Sequence, residues 1–324
     1  KLPMAEQMFF TPDGLEQATR WVVARWRAAL FVDAGVNEVW DLGCGIGVDA
    51  MALSEAGLGV HAVESDPVTA AFAQANLALV GGGEVTVGRA EEVQVPELGG
   101  IFLDPARRTA RGRTWDVADL TPPWSLVEDH LRGRRMVVVK LGPGLPKQLI
   151  PEGFGAAWVS VKGDVVELML SNASDPGPRA VVFPRGEPEP HVLTGGAAPL
   201  PVAPPGRFIH EPDNAVVRAG LVADSVPDGW LLAPGVAYVS SGSPVDSPFV
   251  TSYQVIDVFD HDVATLRRWV KQHRIGRLEI KRRAIDVDPA VLRKQLKPRG
   301  EGAATLLLAR TVAGARAFVV ERVG

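Results

Sequence analysis

The run Asp41-Leu42-Gly43-Cys44-Gly45-Ile46-Gly47 constrains the fold more than any other part of the chain. Apolar Val39 and Trp40 lead into it, and a helical stretch from Asp49 to Ala56 follows. Alternate glycines between a strand and a helix let the backbone take positive φ and let a ligand approach the main chain closely. The amides that open the helix favour a ligand group with negative charge. The next apolar strand, Val60-His61-Ala62-Val63-Glu64, ends in an acid. An acid at that position can accept both hydroxyls of a ribose.

The rest of the first half repeats this rhythm. Pro67 to Leu79 reads as an alanine-rich helix, and Val85-Thr86-Val87 as a third strand. Gly100-Ile101-Phe102-Leu103-Asp104 and Met136 to Leu141 read as a fourth and a fifth. Strands that alternate with helices predict a parallel sheet covered on both faces, an α/β Rossmann-like fold. Trp158–Val161 and Val165–Leu170, around Lys162-Gly163-Asp164, predict an antiparallel pair at its edge. Ahead of the sheet, Thr11 is placed to cap a helix that Pro12 and Glu16 open, with Leu15, Ala18, Val22, Val23, Trp26 and Leu30 on its apolar face.

A length of 324 residues suits about two domains of roughly 150 residues. We divide the chain into an N-terminal helical segment (1–32), a nucleotide-type domain (33–172), a connecting region (173–250) and a C-terminal α+β domain (251–324). The connecting region is rich in proline: ten of the 26 prolines fall between Asp175 and Asp213. Irregular or edge-strand structure is expected there, with a short helix from Glu211 to Val222. In the C-terminal domain, Asp262–His273 and Pro289–Leu296 read as helices and Arg277–Lys281 as a strand. Ala304–Leu308 and Ala317–Val320 read as a final strand pair.

Asp41 precedes the glycines where dinucleotide enzymes carry an apolar residue, and a carboxylate there suits an ammonium or a bridging water better than a pyrophosphate. This arrangement resembles motif I of the class I S-adenosylmethionine (SAM)-dependent methyltransferases. The resemblance implies that Asp41, Gly43, Cys44, Gly45 and Gly47 hold the amino-acid part of SAM, and that Glu64 with Ser65 holds its ribose. The third family position, usually Gly-Asp-Ala, is Gly88-Arg89-Ala90-Glu91 here. Ala90 and Glu91 are then the candidates beside the adenine. We read the Cys44 side chain as a small buried filler.

The fourth strand runs into Asp104-Pro105-Ala106-Arg107. This resembles the Asp/Asn-Pro-Pro-aromatic signature of enzymes that methylate base nitrogens in nucleic acids. The resemblance implies that Asp104, which also borders SAM, and Pro105 accept hydrogen bonds from an amine and aim its lone pair at the methyl group. Catalysis of that kind is mostly positioning. Arg107 stands near the place of the stacking aromatic and can stack on a base or bind phosphate. Trp115 or Trp124 are alternative stacking faces. Arg108, Arg111 and Arg113 extend a basic loop suited to phosphate contact.

Cys44 is the single cysteine of the chain. It excludes an internal disulfide and a Cys-rich zinc site, and fits a reducing cytoplasm. It also argues against methylation at carbon 5 of a pyrimidine, which commonly needs a cysteine nucleophile. No metal is expected, and His61 and His130 read as surface or packing residues. No apolar run reaches about 18 residues, so no membrane span is expected. The chain starts Lys1-Leu2-Pro3-Met4, without a start methionine or the regions of a signal peptide, and a missing N-terminal portion is expected.

Net charge is −4, yet residues 261–300 carry 12 Lys and Arg against four acids. Such a concentration of cations can neutralise phosphates and give salt-dependent binding. Arg277, Lys281, Arg282 and Arg283 are the candidate contacts. Gly276 to Arg283, Asp286-Val287-Asp288-Pro289 and Gly300 to Leu306 resemble the THUMP-like domain that ends a bacterial methyltransferase family. Phe9-Phe10-Thr11, Lys140-Leu141-Gly142-Pro143-Gly144 and Glu211-Pro212-Asp213 are similar to that family as well. The resemblance implies an RNA substrate, tRNA or rRNA. Three readings stay open at this point: a methyltransferase of RNA base nitrogens, a methyltransferase of a small molecule whose basic domain is a lid or oligomer contact, and a non-catalytic RNA-binding protein on a SAM-fold scaffold.

Overall fold

The computed structural model describes residues 2–107, 117–173 and 175–323. The chain folds into two compact units, residues 1–179 with 183–190, and residues 191–324 with 180–182.

In the first unit, the Thr11 hydroxyl accepts the Gly14 amide at 3.0 Å and caps α1 (Pro12–Gln17). The apolar spacing continues into α2 (Trp21–Asp33), but the chain breaks between the helices. There Thr19 turns aside and donates its hydroxyl to Asp49 Oδ2 at 2.6 Å. Four parallel strands follow, the first two each trailed by a helix: β1 (Glu38–Leu42), α3 (Val48–Glu55), β2 (Gly59–Glu64), α4 (Pro67–Leu77), β3 (Glu84–Val87) and β4 (Gly100–Leu103). Asp66 caps α4 by accepting the Thr69 amide at 2.8 Å, one residue before the proline that the first helical turn tolerates. Two short strands, β5 (Ala106–Arg107) and β6 (Leu120–Thr121), pair antiparallel. Then come α5 (Trp124–Leu131), β7 (Val137–Leu141), β8 (Gly155–Val161) and β9 (Asp164–Ser171).

These strands lie in the order β8-β9-β7-β4-β1-β2-β3. The run from β7 to β3 is parallel, and β9 pairs antiparallel with both β7 and β8. Val39, Leu42, Ile101, Leu103 and Val137 to Val139 are fully buried, as strands covered on both faces require. Parallel pairing brings the carboxyl ends of β1, β2, β4 and β7 to one edge, the place where open α/β sheets take ligands.

After β10 (Gly177–Phe183) and β11 (His191–Thr194), the second unit is built from β12 (Phe208–Pro212), α6 (Asn214–Ala219), α7 (Val222–Ser225), β13 (Trp230–Leu231) and β14 (Val239–Ser241). It continues through β15 (Val250–Asp260), α8 (Val263–Gln272), β16 (Ile275–Arg283), α9 (Pro289–Leu296), β17 (Gly302–Thr311) and β18 (Gly314–Val323). Its sheet runs β13-β14-β12-β15-β18-β17-β16, so residues of the proline-rich region and of the C-terminal region share one sheet. The helix expected from Glu211 is shorter, because Glu211 and Pro212 pair with Thr251 and Val250 in the sheet. Asp213 caps the helix instead, and Gly220 ends it at a φ of 85°. On one face of the sheet, Leu266, Val270, Leu292 and Leu296 of α8 and α9 pack on Leu278, Ile280, Leu306 and Leu308. On the other, Tyr238, Tyr253, Leu307 and Phe318 form a second core. No helix among the described residues is long and apolar enough to cross a membrane.

Candidate active site

The glycine loop has the conformation its sequence asks for. Gly43, Gly45 and Gly47 take φ of 97°, 56° and 82°, values that strain any side chain. The Gly43 and Cys44 amides both donate to the Val63 carbonyl, at 2.9 and 3.0 Å, which stitches the loop to the end of β2. A Cβ on Gly47 would stand 3.3 Å from Ala73 of α4, whereas one on Gly45 would point into open space. The Gly45 amide donates to Glu64 Oε2 at 3.0 Å. Glu64 Oε1 accepts from Ser65 Oγ at 3.1 Å and from the Asp66 amide at 2.9 Å. The strand-end acid is thus presented at the loop by three donors.

Beneath the loop, Asp41 is fully buried, and among the described residues neither carboxyl oxygen has a hydrogen-bond partner. Burial pushes its pKa well above the usual carboxylate range, and Asp49 and Asp104 push the same way. Beside it lies a buried ionic triad that sequence reasoning missed. Arg27 of α2 donates to Asp49 of α3 and to Glu167 of β9, with its guanidinium 4.7 Å from the Phe102 ring centre. The signal was present: Arg27 stands four residues from Val23 and from Phe31, both fully buried. A charge on the buried stripe of a helix needs a partner.

At the tip of β4, Asp104 Oδ2 accepts from Lys140 Nζ of β7 at 2.5 Å. A cavity of about 940 Å³ joins this pair to the loop. Of the residues singled out in the sequence, Gly43, Cys44, Gly45, Glu64, Ser65, Ala90, Glu91 and Asp104 line it. Asp41, Gly47 and Pro105 are not in its wall. Cys44 is half-buried and lines the cavity, so it is more exposed than the filler expected from sequence. Burial, then Asp41 and Glu64, raise its thiol pKa and keep it inert. Arg89 also lines the cavity and pairs with Glu91 at 2.9 Å. Residues from Thr11 to Thr19 complete the wall, a contribution that sequence reasoning did not assign. The Arg107 backbone lies in β5, while Arg108, Arg111, Arg113 and Trp115 lie outside the described residues. Trp124 donates to Glu128 on its own helix at 3.2 Å and does not line the cavity. His61 stacks on Trp40 at 4.3 Å, a packing role.

The cations of the second unit divide into two groups. Lys281 Nζ lies 2.6 Å from Glu211 Oε2, and Arg283 lies 3.9 Å from the same carboxylate and donates to the Pro212 carbonyl. Arg282 donates to the Ile285 carbonyl at 3.0 Å. Lys281 and Arg283 are therefore turned inward onto Glu211. Arg277 is exposed, as are Arg268, Lys271, Arg274, Lys294, Lys297 and Arg299. Among the described residues these seven make no ion pair within 4.0 Å.

Over 97% of its length the chain is 35% identical to an uncharacterised S-adenosylmethionine-dependent methyltransferase of Mycobacterium tuberculosis strain CDC 1551, covering 87% of that protein. The chain belongs to the SAM-dependent methyltransferases. The same identity and coverage hold for the corresponding methyltransferase of strain H37Rv. Residues 250–322 of this methyltransferase match the family described as THUMP domain-like. Its fold is that of a Porphyromonas gingivalis W83 crystal structure assigned as a methyltransferase, with a TM-score of 0.78 and 20% identity over 99% of this chain and 84% of that one. The cavity has features that fit SAM: the two carboxylate oxygens of Glu64 as ribose acceptors, and open space beside the backbone at Gly45.

Proposed function

We propose that this methyltransferase modifies a nitrogen of an RNA base, in tRNA or rRNA, in the cytoplasm. The observation that carries the reading is the position of Asp104, whose carboxyl lines the same cavity as the glycine loop and Glu64. Bound in this cavity, SAM supplies a methyl group on a positively charged sulfur. Glu64, with Ser65 beside it, would accept the ribose hydroxyls. The loop backbone of Gly43, Cys44 and Gly45 would hold the amino-acid part, with Asp41 buried beneath the loop at the end of β1. Ala90 and Glu91 border the adenine.

Asp104 and the backbone at Pro105 then act on the acceptor. Lys140 occupies Oδ2, so Oδ1 and the neighbouring carbonyl accept N–H bonds from the base and turn its lone pair toward the methyl group. The surplus N–H proton leaves to water. By their place in the sequence, directly after Asp104-Pro105, Arg107, Arg108 and Arg111 are the candidates for contact with phosphates beside the reacting nucleotide.

Charge supports RNA as the partner. With Lys281 and Arg283 committed to Glu211, the grip falls to the helical layer, with Arg277 and Arg282 at the edge strand. Helical spacing sets Arg268 and Lys294 opposite the buried Leu266–Val270 and Leu292–Leu296 stripes of α8 and α9. Trp269, packed against the core, stacks on the exposed His273 at 4.3 Å, and the His273 ring offers a face of the kind on which bases stack. The test is methyl transfer from labelled SAM to total RNA. Label in RNA that disappears in Asp104→Ala is the expected result. Absence of label from every RNA fraction overturns the reading.

A further inference from the structure

Lys140 and Asp104 form an ion pair at the edge where β4 and β7 end side by side. The pair is held from both sides. Lys140 is the penultimate residue of a strand whose other residues are buried, and its side chain is only 13% exposed against 34% for Asp104. Burial by itself would lower the Lys140 pKa. Asp104, then Asp49 and Glu167, outweigh burial and Arg27, and the net shift is upward, so Lys140 stays an ammonium. Both members line the cavity.

The chemistry gives that pairing a consequence. The positive charge on sulfur is lost from sulfur as the S–CH3 bond breaks and its electron pair returns to sulfur, while the acceptor lone pair makes the new bond. A bare carboxylate beside the sulfonium would stabilise the charge before transfer and less so during it. That is binding which favours the ground state and slows the step. Resting on the assignment of the cavity to SAM made above, we propose that Lys140 is a positioning residue that neutralises Asp104 toward the sulfonium, leaving Oδ1 to the acceptor nitrogen alone. The charged cofactor and its neutral product, S-adenosylhomocysteine, are thereby held with similar strength at this end of the site.

The experiment is calorimetric titration of the full chain with SAM and, separately, with S-adenosylhomocysteine, which needs no methyl acceptor. In Lys140→Met the unpaired carboxylate shifts the affinity ratio toward SAM by about fivefold, the scale of one charge across a partly solvated gap. In Asp104→Asn the unpaired ammonium shifts it toward S-adenosylhomocysteine by a similar factor. Lys140→Arg keeps the wild-type ratio. A ratio within twofold of wild type in Lys140→Met overturns the inference and leaves the site assignment standing. Should Lys140→Met not fold, Asp104→Asn decides alone, and a ratio that stays put or moves toward SAM overturns it. Binding of neither compound by the wild type, or binding unchanged in Gly45→Arg, removes the assignment and the inference together.

Discussion

The backbones of Gly276 and Gly300 cross so closely that a Cβ on Gly276 would stand 1.9 Å from the Gly300 carbonyl oxygen. A Cβ on Gly300 would stand equally close to the Arg274 carbonyl oxygen. Neither obstacle is a side chain that can swing away. Gly276→Ala is expected to destabilise the second unit by about 4 kcal/mol or more. Gly242, with ordinary φ and nothing within 4 Å of its Cβ position, is the control, and Gly242→Ala should stay within about 0.5 kcal/mol. Urea unfolding of both variants measures the difference.

Arg27→Met should be among the most damaging changes near the site. It leaves Asp49 and Glu167 buried without their shared cation. Breaking a buried pair from one side costs about 3–5 kcal/mol, because an uncompensated charge remains. The triple replacement Arg27→Met, Asp49→Asn, Glu167→Gln should recover most of the loss in the same unfolding assay.

His210 makes the second unit sensitive to acid. It is fully buried between Ser252 Oγ at 2.8 Å and Ser241 Oγ at 2.7 Å, and burial pushes its pKa down to about 4. The unfolded chain takes up a proton at about 6.5, and the folded one does so only near 4. Between these values the unfolded state binds more protons, so stability falls as pH falls. The total is about 3 kcal/mol, at about 1.4 kcal/mol per pH unit. His210→Gln should flatten that part of the stability–pH curve between pH 4 and 6.5, whatever its effect at pH 7.

Glu64→Ala should weaken SAM and S-adenosylhomocysteine binding alike, by about 10- to 100-fold, since the charge-assisted bonds of a carboxylate contribute about 1.5–3 kcal/mol. An equal loss for both ligands, read by calorimetry, separates a ribose contact from the charge effect at Lys140.

RNA binding should report which cations face solvent. Neutralising Arg268, Lys271 and Lys294 to Gln should reduce the slope of log K against log salt by about 2, at about 0.7 per phosphate contact on a single strand. Lys281→Met should leave that slope alone and lower folding stability, because it strips Glu211 of the nearer of its two cations. Fluorescence anisotropy with a labelled single-stranded RNA at several salt concentrations reads both. His273→Ala should weaken binding at an unchanged slope.

Much of the site is legible in the amino-acid sequence. Gly43, Gly45 and Gly47 declare themselves because positive φ at alternate positions leaves few residues possible, and Glu64 because it ends a strand of the right spacing. Lys140, Arg27, Asp49 and Glu167 do not, since each finds its partner across the sheet or between layers, at separations of 22 to 140 residues. The basic strand Arg277–Arg283 misleads for the same reason: its cations look free in sequence, and Glu211, 70 residues from Lys281, takes two of them.

The sequence alone determined the strand–loop–helix with its acid, the alternation that makes a parallel sheet, and the charge imbalance of residues 261–300. These are local facts, set by backbone dihedrals, side-chain periodicity and composition. Tertiary structure decided which carboxylates are neutralised, which cations remain in water, and where two glycine backbones touch. Coulomb energy and steric exclusion act over a few ångströms of space, and only the folded chain says which residues share them.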